Sequence, residues 1–201
     1  IAAQRVEIER GSAAHQAVCE TARRRGILTC VDNAFASPYL HNPLDLGADI
    51  VLHSATKYIG GHSDVVHGCL IVKDAELAQR LRFLQNACGA VPGPQDCFLI
   101  LRGIKTLHLR VQRACENAAA IAQHLAAHPK VEKVFWPGFA THPNHEIAKR
   151  QMRMFGAMVS FELKGRRILE MGCGLALASL VIHRRGGDIT ASDCHPLAQA
   201  F

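Results

Sequence analysis

Two short apolar runs, Ile27-Leu28-Thr29-Cys30-Val31 and Asp49-Ile50-Val51-Leu52-His53, constrain this chain more than any other feature. Both are continuous rather than alternating, and the first stops at Asp32. A strand that is apolar on both faces needs cover on both, which is the condition of a parallel sheet packed between helices. The segment before the first run supplies one such helix. Ser12 can cap Ala13 to Arg25, where Ala14, Ala17, Val18 and Ala22 recur at helical spacing, and Gly26 ends it. Cys69-Leu70-Ile71-Val72 predicts a third strand, and Asp74 caps a helix with Leu77, Leu81 and Leu84 on its inner face. The expected class is α/β, a mostly parallel sheet flanked by helices.

Gly89-Ala90-Val91-Pro92-Gly93-Pro94 predicts a loop. From about Gln95 a long helical region follows, and Leu107, Val111, Ala114, Ala118, Ile121 and Leu125 form one packed stripe that Pro129 terminates. Val131 to Phe135, Trp136-Pro137-Gly138, a helix from His145 and Ala157 to Leu163 read as strand, turn, helix and strand. After Gly165 the character changes again: Ile168 to Gly174 is a strand running into a glycine turn, Leu175 to Arg185 a helix, and Asp188 to Asp193 a strand with an acidic end. These changes divide the chain into a large domain over 1–128, the start of a smaller one over 129–165, and a βαβ fragment over 166–201.

Several function classes are set aside by composition. No apolar run approaches a membrane-spanning length, and the opening Ile1-Ala2-Ala3-Gln4-Arg5 lacks both an initiator Met and the layout of a signal peptide, so a cytoplasmic protein is expected. The formal charge of +6 is scattered, and with 5% aromatics no basic stacking surface for nucleic acid is expected. Eight cysteines without a Cys-x-x-Cys pair read as buried reduced thiols. His142-Pro143-Asn144-His145-Glu146 reads as a turn before a helix, with no second ligand pair at metal spacing, and no metal is expected.

The chemistry concentrates in His53-Ser54-Ala55-Thr56-Lys57-Tyr58-Ile59-Gly60-Gly61-His62-Ser63-Asp64, directly after a buried strand, where α/β sheets place ligands. Ser54 and Thr56 can hold a phosphate while Lys57 reaches a bound group. Asp32 ends the neighbouring strand at what should be the same sheet edge. A strand-end carboxylate, a hydroxyl pair and a lysine suit pyridoxal 5'-phosphate, which needs a Schiff-base amine and an acid to keep its ring nitrogen protonated. Taken singly, Asp32 reads as a turn residue and Ser-x-Thr-Lys as a solvated loop; it is their combination that points to a cofactor.

Val31-Asp32-Asn33-Ala34-Phe35, Ala48 to Tyr58, Gly61-His62-Ser63-Asp64-Val65-Val66 and Leu101-Arg102-Gly103-Ile104-Lys105-Thr106-Leu107 resemble cystathionine gamma-synthase and its relatives, the pyridoxal-phosphate enzymes of cysteine and methionine metabolism. The likeness runs from about Cys19 to Gly165. It implies a fold-type I transferase-like domain, incomplete here, in a soluble homo-oligomer that is a tetramer in the family and takes a small amino-acid substrate. It also implies elimination or replacement at the β or γ carbon of sulfur-containing amino acids; synthase, lyase and sulfhydrylase remain alternatives. By the same resemblance Lys57 holds the cofactor and moves protons, Asp32 pairs with the ring nitrogen, and Ser54 and Thr56 bind the phosphate. Ala34 stands where the family usually has Thr, which removes a hydroxyl near the ring.

The resembling enzymes extend before Ile1 with a phosphate loop and a ring-stacking aromatic, and past Gly165 with an arginine for the substrate carboxylate. A poorly active isolated chain is therefore expected. Ile168-Leu169-Glu170-Met171-Gly172-Cys173-Gly174 and Ile189-Thr190-Ala191-Ser192-Asp193 resemble instead the opening of a class I S-adenosylmethionine-dependent methyltransferase, with Ala176 in place of the third glycine. Two alternatives follow: a truncated or chimeric chain without catalytic activity, or a methyltransferase fragment.

Overall fold

The computed structural model describes residues 15–164 and the backbone of the strands at 167–170 and 188–191. It divides into two compact units, 1–111 with 146–154 and 112–145 with 155–201. Ser12, Gly172, Gly174, Asp193 and the expected helix over 175–185 lie outside the described residues.

In the first unit, α1 (His15–Arg24) ends as its glycine requires. Gly26 takes φ +66°, its N–H donates to the Arg23 carbonyl, and the Ile27 N–H reaches back to Ala22. That is a Schellman ending, so Ile27 and Leu28 are used to close the helix. The strand therefore starts later than its apolar run, as β1 (Cys30–Asp32). Just before it Thr29 is pinned to Asp49, whose Oδ2 accepts from the Thr29 N–H at 2.7 Å and the Thr29 hydroxyl at 2.8 Å. The buried face of α1 centres on Cys19, with His15, Val18 and Ala22 half-buried, whereas Ala17 is exposed. Cys19 packs with Ala48 and Val51, joined by Val31 and Leu44.

The sheet of this unit has the order β1-β2-β3, with β2 at Ile50–Ser54 and β3 at Gly68–Val72. β1 and β2 are parallel, pairing Asp32 with Leu52. β3 runs antiparallel to β2, pairing Ser54 with Gly68, so this sheet mixes one parallel and one antiparallel pairing. The chain between Ser54 and Gly68 turns back on itself instead of crossing over through a helix, and an antiparallel neighbour is what such a return gives. The whole is a mixed α/β arrangement with a partial sheet.

The short helix α2 (Ser37–Leu40) follows β1, and helix α3 (Ala75–Ala87) starts where Asp74 accepts from the Leu77 N–H at 2.6 Å. No residue on α3 is fully buried; of the expected inner face Leu77 and Leu81 are half-buried, while Leu84 is 52% exposed. The long helix expected from Gln95 is two helices, α4 (Pro94–Ile104) and α5 (Leu107–Ala127). Lys105 and Thr106 donate their N–H groups three residues back, to Arg102 and Gly103, and this tighter bonding marks the break. The buried stripe of α5 is Leu107, Val111, Cys115, Ala118 and Ala122; Ala114 and Leu125 are half-buried and Ile121 is exposed. Cys19 and Cys115 are buried free thiols as expected, but Cys30 and Cys88 are exposed.

In the second unit, β4 (Val131–Phe135), β5 (Ser160–Leu163), β6 (Arg167–Glu170) and β7 (Asp188–Ala191) form a sheet in that order. The first two pairings are antiparallel and the last is parallel. Trp136 anchors this unit, donating from Nε1 to the Gly156 carbonyl at 3.2 Å between edge-on Phe139 and Phe155. His142 to Asn144 form a turn leading into α6 (His145–Gln151).

Candidate functional site

Parallel pairing of β1 and β2 brings their C-terminal ends to one edge, so Asp32 and the segment after Ser54 open on the same side of the sheet. Asp32 is exposed, and its Oδ1 accepts from the Ala34 N–H at 3.0 Å, an Asx-type turn. Its other oxygen carries no hydrogen bond among the described residues. The turn beyond is tightly held. Asn33 is 2% exposed and donates from Nδ2 to the carbonyls of Ser37 at 3.2 Å and His41 at 2.8 Å. Its Oδ1 can only accept, so His41 Nδ1 donates to it, at 2.8 Å. His41 Nε2 is then free to accept from His15 Nδ1, 3.2 Å away. Burial first, and the His15 charge second, push the His41 pKa down to about 4, which keeps this ring neutral. Ser37 sits fully buried at φ +61°, a strained conformation for a residue with a side chain, and the network around it holds it there.

After Ser54 the chain makes one helical turn. Lys57 N–H donates to Ser54, Gly60 N–H to Ala55 and Gly61 N–H to Lys57. The inner side of the turn, Ala55 and Ile59, packs with Val65 and Ile100 in a buried cluster. Lys57 points outward, with its Nζ 4.5 Å from the centre of the half-exposed Phe35 ring, a cation–π contact worth about 0.5–1 kcal/mol in such a setting. The Ser54 hydroxyl has no hydrogen bond among the described residues. Thr56 differs: its hydroxyl donates to the His67 carbonyl at 3.2 Å and accepts from the His67 N–H at 3.0 Å, closing the loop onto β3. To serve a phosphate, Thr56 has to release His67 or accept only a share of the work.

His53 lies on the inner face of β2, 3% exposed, and its Nδ1 finds no partner among the described residues. Burial lowers its pKa more than the Asp32 charge raises it, so it too is neutral. The Asp32 carboxylate, the Lys57 amine and the Ser54 hydroxyl thus share one edge with polar capacity to spare, and these residues fit the pyridine nitrogen, aldehyde and phosphate of pyridoxal phosphate.

Sequence reasoning passed over the residues that hold the two turns: Asn33, His41, Phe35 and Arg110. Asn33 and Phe35 stand inside a motif already singled out, so the signal was their adjacency to Asp32. Arg110 lies 52 positions from the carbonyl it grips, at Tyr58, and only the neighbouring Gly103 and Thr106 hinted at a close approach.

Comparison with known proteins gives the family of the chain. Residues 13–182 match the family described as Cys/Met metabolism PLP-dependent enzyme. The chain is 59% identical over 149 residues to a probable cystathionine gamma-synthase of Herpetosiphon aurantiacus, covering 74% of this chain and 47% of that protein. It is 57% identical over 150 residues to a cystathionine gamma-lyase of Dictyostelium discoideum, covering 75% and 39%. Among solved structures, cystathionine gamma synthase from Xanthomonas oryzae pv. oryzae superposes with a TM-score of 0.74 at 54% identity, over 76% of this chain and 40% of that one. The chain spans less than half the length of each of these relatives. It belongs to the family of pyridoxal-phosphate-dependent enzymes of cysteine and methionine metabolism.

Proposed function

We propose that this chain carries the cofactor-holding half of an enzyme that eliminates or replaces a group at the β or γ carbon of a sulfur-containing amino acid. The observation that supports this best is the shared edge: Asp32 and Lys57 emerge from adjacent parallel strands on one side of the sheet. Bound pyridoxal phosphate supplies an electron sink for carbanion chemistry. Asp32 would pair with the ring nitrogen and favour its protonated form, as an anionic neighbour does. Lys57 would hold the cofactor through Nζ and, once the substrate amine takes its place there, its freed amine would serve as the base and acid at the substrate α carbon. Ser54, with its unpartnered hydroxyl, is the stronger phosphate donor, and Thr56 shares the task. The relatives bear synthase and lyase names alike, so the reading stops at the class of reaction.

A reducing, cytoplasmic setting is supported by six free thiols among the described residues. No helix among those residues is long and apolar enough to cross a membrane. Self-association is supported by exposed apolar side chains on the first unit, Phe98, Leu101 and Leu109, each more than half exposed. Of the methyltransferase-like segment only the parallel strands β6 and β7 are described, a pairing common to any βαβ unit, while Gly172, Gly174 and Asp193 lie outside the described residues.

Adding pyridoxal phosphate and then borohydride should fix the cofactor to one peptide, the one that contains Lys57. Lys73, paired with Asp45 on the surface, and Lys105, at the break before α5, are internal controls because neither sits in a Ser-x-Thr hydroxyl pair at a strand end. Lys57→Ala should abolish the site-specific label. Label spread evenly over the lysines would sink this reading.

A further inference from the structure

The Lys57 turn is held from behind by one side chain. Arg110 on α5 donates from Nη1 to the Tyr58 carbonyl at 2.7 Å and from Nη2 to the carbonyls of Ile59 at 3.3 Å and Gly103 at 2.7 Å. Its Nε donates to the Thr106 hydroxyl at 3.0 Å. Among the described residues no carboxylate pairs with it, so every donor in use goes to a neutral oxygen. Burial lowers its pKa, a sign that desolvating this charge costs free energy. The acceptors explain the arrangement. The Tyr58 and Ile59 carbonyls, at the close of the turn after Ser54, both accept from the guanidinium, and hydrogen bonds from a charged donor are stronger than neutral ones. The third carbonyl, of Gly60, lies 2.7 Å from His62 Nδ1.

Two glycines make this approach possible. At Gly61, φ +71°, a Cβ would fall on the Arg110 guanidinium, and at Gly103 a Cβ would fall on the Ile59 and Gly60 carbonyls. The end of α4 and the start of α5 thus meet the turn backbone to backbone, with the guanidinium filling the corner.

We propose that Arg110 is a positioning residue for Lys57: by capping the carbonyls of the turn it fixes the backbone from which Lys57 reaches the cofactor. This rests on the reading of Lys57 as the cofactor lysine. A planar fork with several donors can bridge three carbonyls at once, whereas a lysine at this position could serve one or two, so charge alone does not substitute.

The test uses the full chain, Arg110→Lys and Arg110→Gln, with two readouts. Without cofactor, amide hydrogen exchange is followed in the peptide covering Lys57 to Gly61. With pyridoxal phosphate and borohydride, the yield of label on Lys57 is followed. In both variants exchange in the turn should rise about tenfold or more while peptides from β1 are unchanged. Label on Lys57 should fall several-fold, and Arg110→Lys should melt close to the unsubstituted chain yet fail to restore labelling, which a merely structural role for the charge would not produce. Unchanged exchange, or faster exchange with undiminished Lys57 label, would overturn the role of Arg110 alone. Absence of Lys57 label in the unsubstituted chain would overturn the cofactor reading and the positioning claim with it.

Discussion

The two turns that build the candidate site are fastened by opposite means. The turn after Asp32 is held by neutral buried groups, Asn33 donating to two carbonyls and accepting from a His41 ring that must stay uncharged. The turn at Lys57 is held by a permanent cation, Arg110, donating to the Tyr58 and Ile59 carbonyls. A neutral network is strong only while every donor and acceptor keeps its partner, and it fails when a member ionises. A guanidinium stays charged across the working pH range. The acid and the amine of one site should therefore come loose under different conditions, and experiments can separate them.

The largest separation is expected from Asn33→Ala. It strips a partner from the Ser37 and His41 carbonyls and from His41 Nδ1 in a buried turn, at a cost of roughly 2–4 kcal/mol by analogy with other buried networks. Denaturant unfolding should show this loss, while hydrogen exchange at Lys57 to Gly61, normalised to global stability, stays as it was. A cost below about 0.5 kcal/mol, the scale of ordinary surface changes, would mean that the network does not hold the acid's turn.

Acid should act in the same direction more gently. The folded pKa of His41, about 4, lies below its unfolded value of 6.5, so the unfolded chain binds the proton more readily. The contribution of His41 is present in full above pH 6.5 and is lost as pH falls toward 4, on the order of 2 kcal/mol across that window. Burial lowers the pKa of His15 and His53 in the same sense. His41→Gln should flatten the slope between pH 6.5 and 4; an unchanged slope would remove His41 as its source.

How much of this could be read in advance differs between the turns. Asp32, Ser54, Thr56 and Lys57 stood out because their residue types lie at strand ends, and strand ends follow from short apolar runs. The fastening did not stand out, because it depends on distant pairs such as Tyr58 with Arg110, which no local pattern contains. The direction of β3 escaped for a related reason. Apolar content predicts a strand at Cys69 to Val72, but only the tight return from Ser54 to Gly68, closed by Thr56 on His67, sets it antiparallel. Asp74 was legible as a helix cap because a cap is local; whether Leu84 would be covered was not.

The smallest effect should come from outside both turns. We propose from the change of motif after Gly165 that the segment beyond it takes no part in holding the cofactor, although β5 and β6 share one sheet across that point; Asp32, Lys57 and Arg110 all belong to the first unit. Deleting residues 166–201 should leave the yield of Lys57 label unchanged within about twofold, a shift of only a few tenths of a kcal/mol. Loss of label in a chain that still folds would show that the boundary is misplaced.

The central claim is that the acid and the lysine serve one cofactor, and the Asp32→Asn variant tests it most directly. The measurement is the visible absorption of pyridoxal phosphate fixed at Lys57, followed against pH beside the unsubstituted chain. Asparagine keeps the shape and the Ala34 contact but removes the charge that holds the ring nitrogen protonated. The account predicts that Lys57 is still labelled while the spectrum and its pH midpoint shift. An identical spectrum and midpoint in both proteins would mean that Asp32 does not face the ring nitrogen, and the shared edge would no longer be a site.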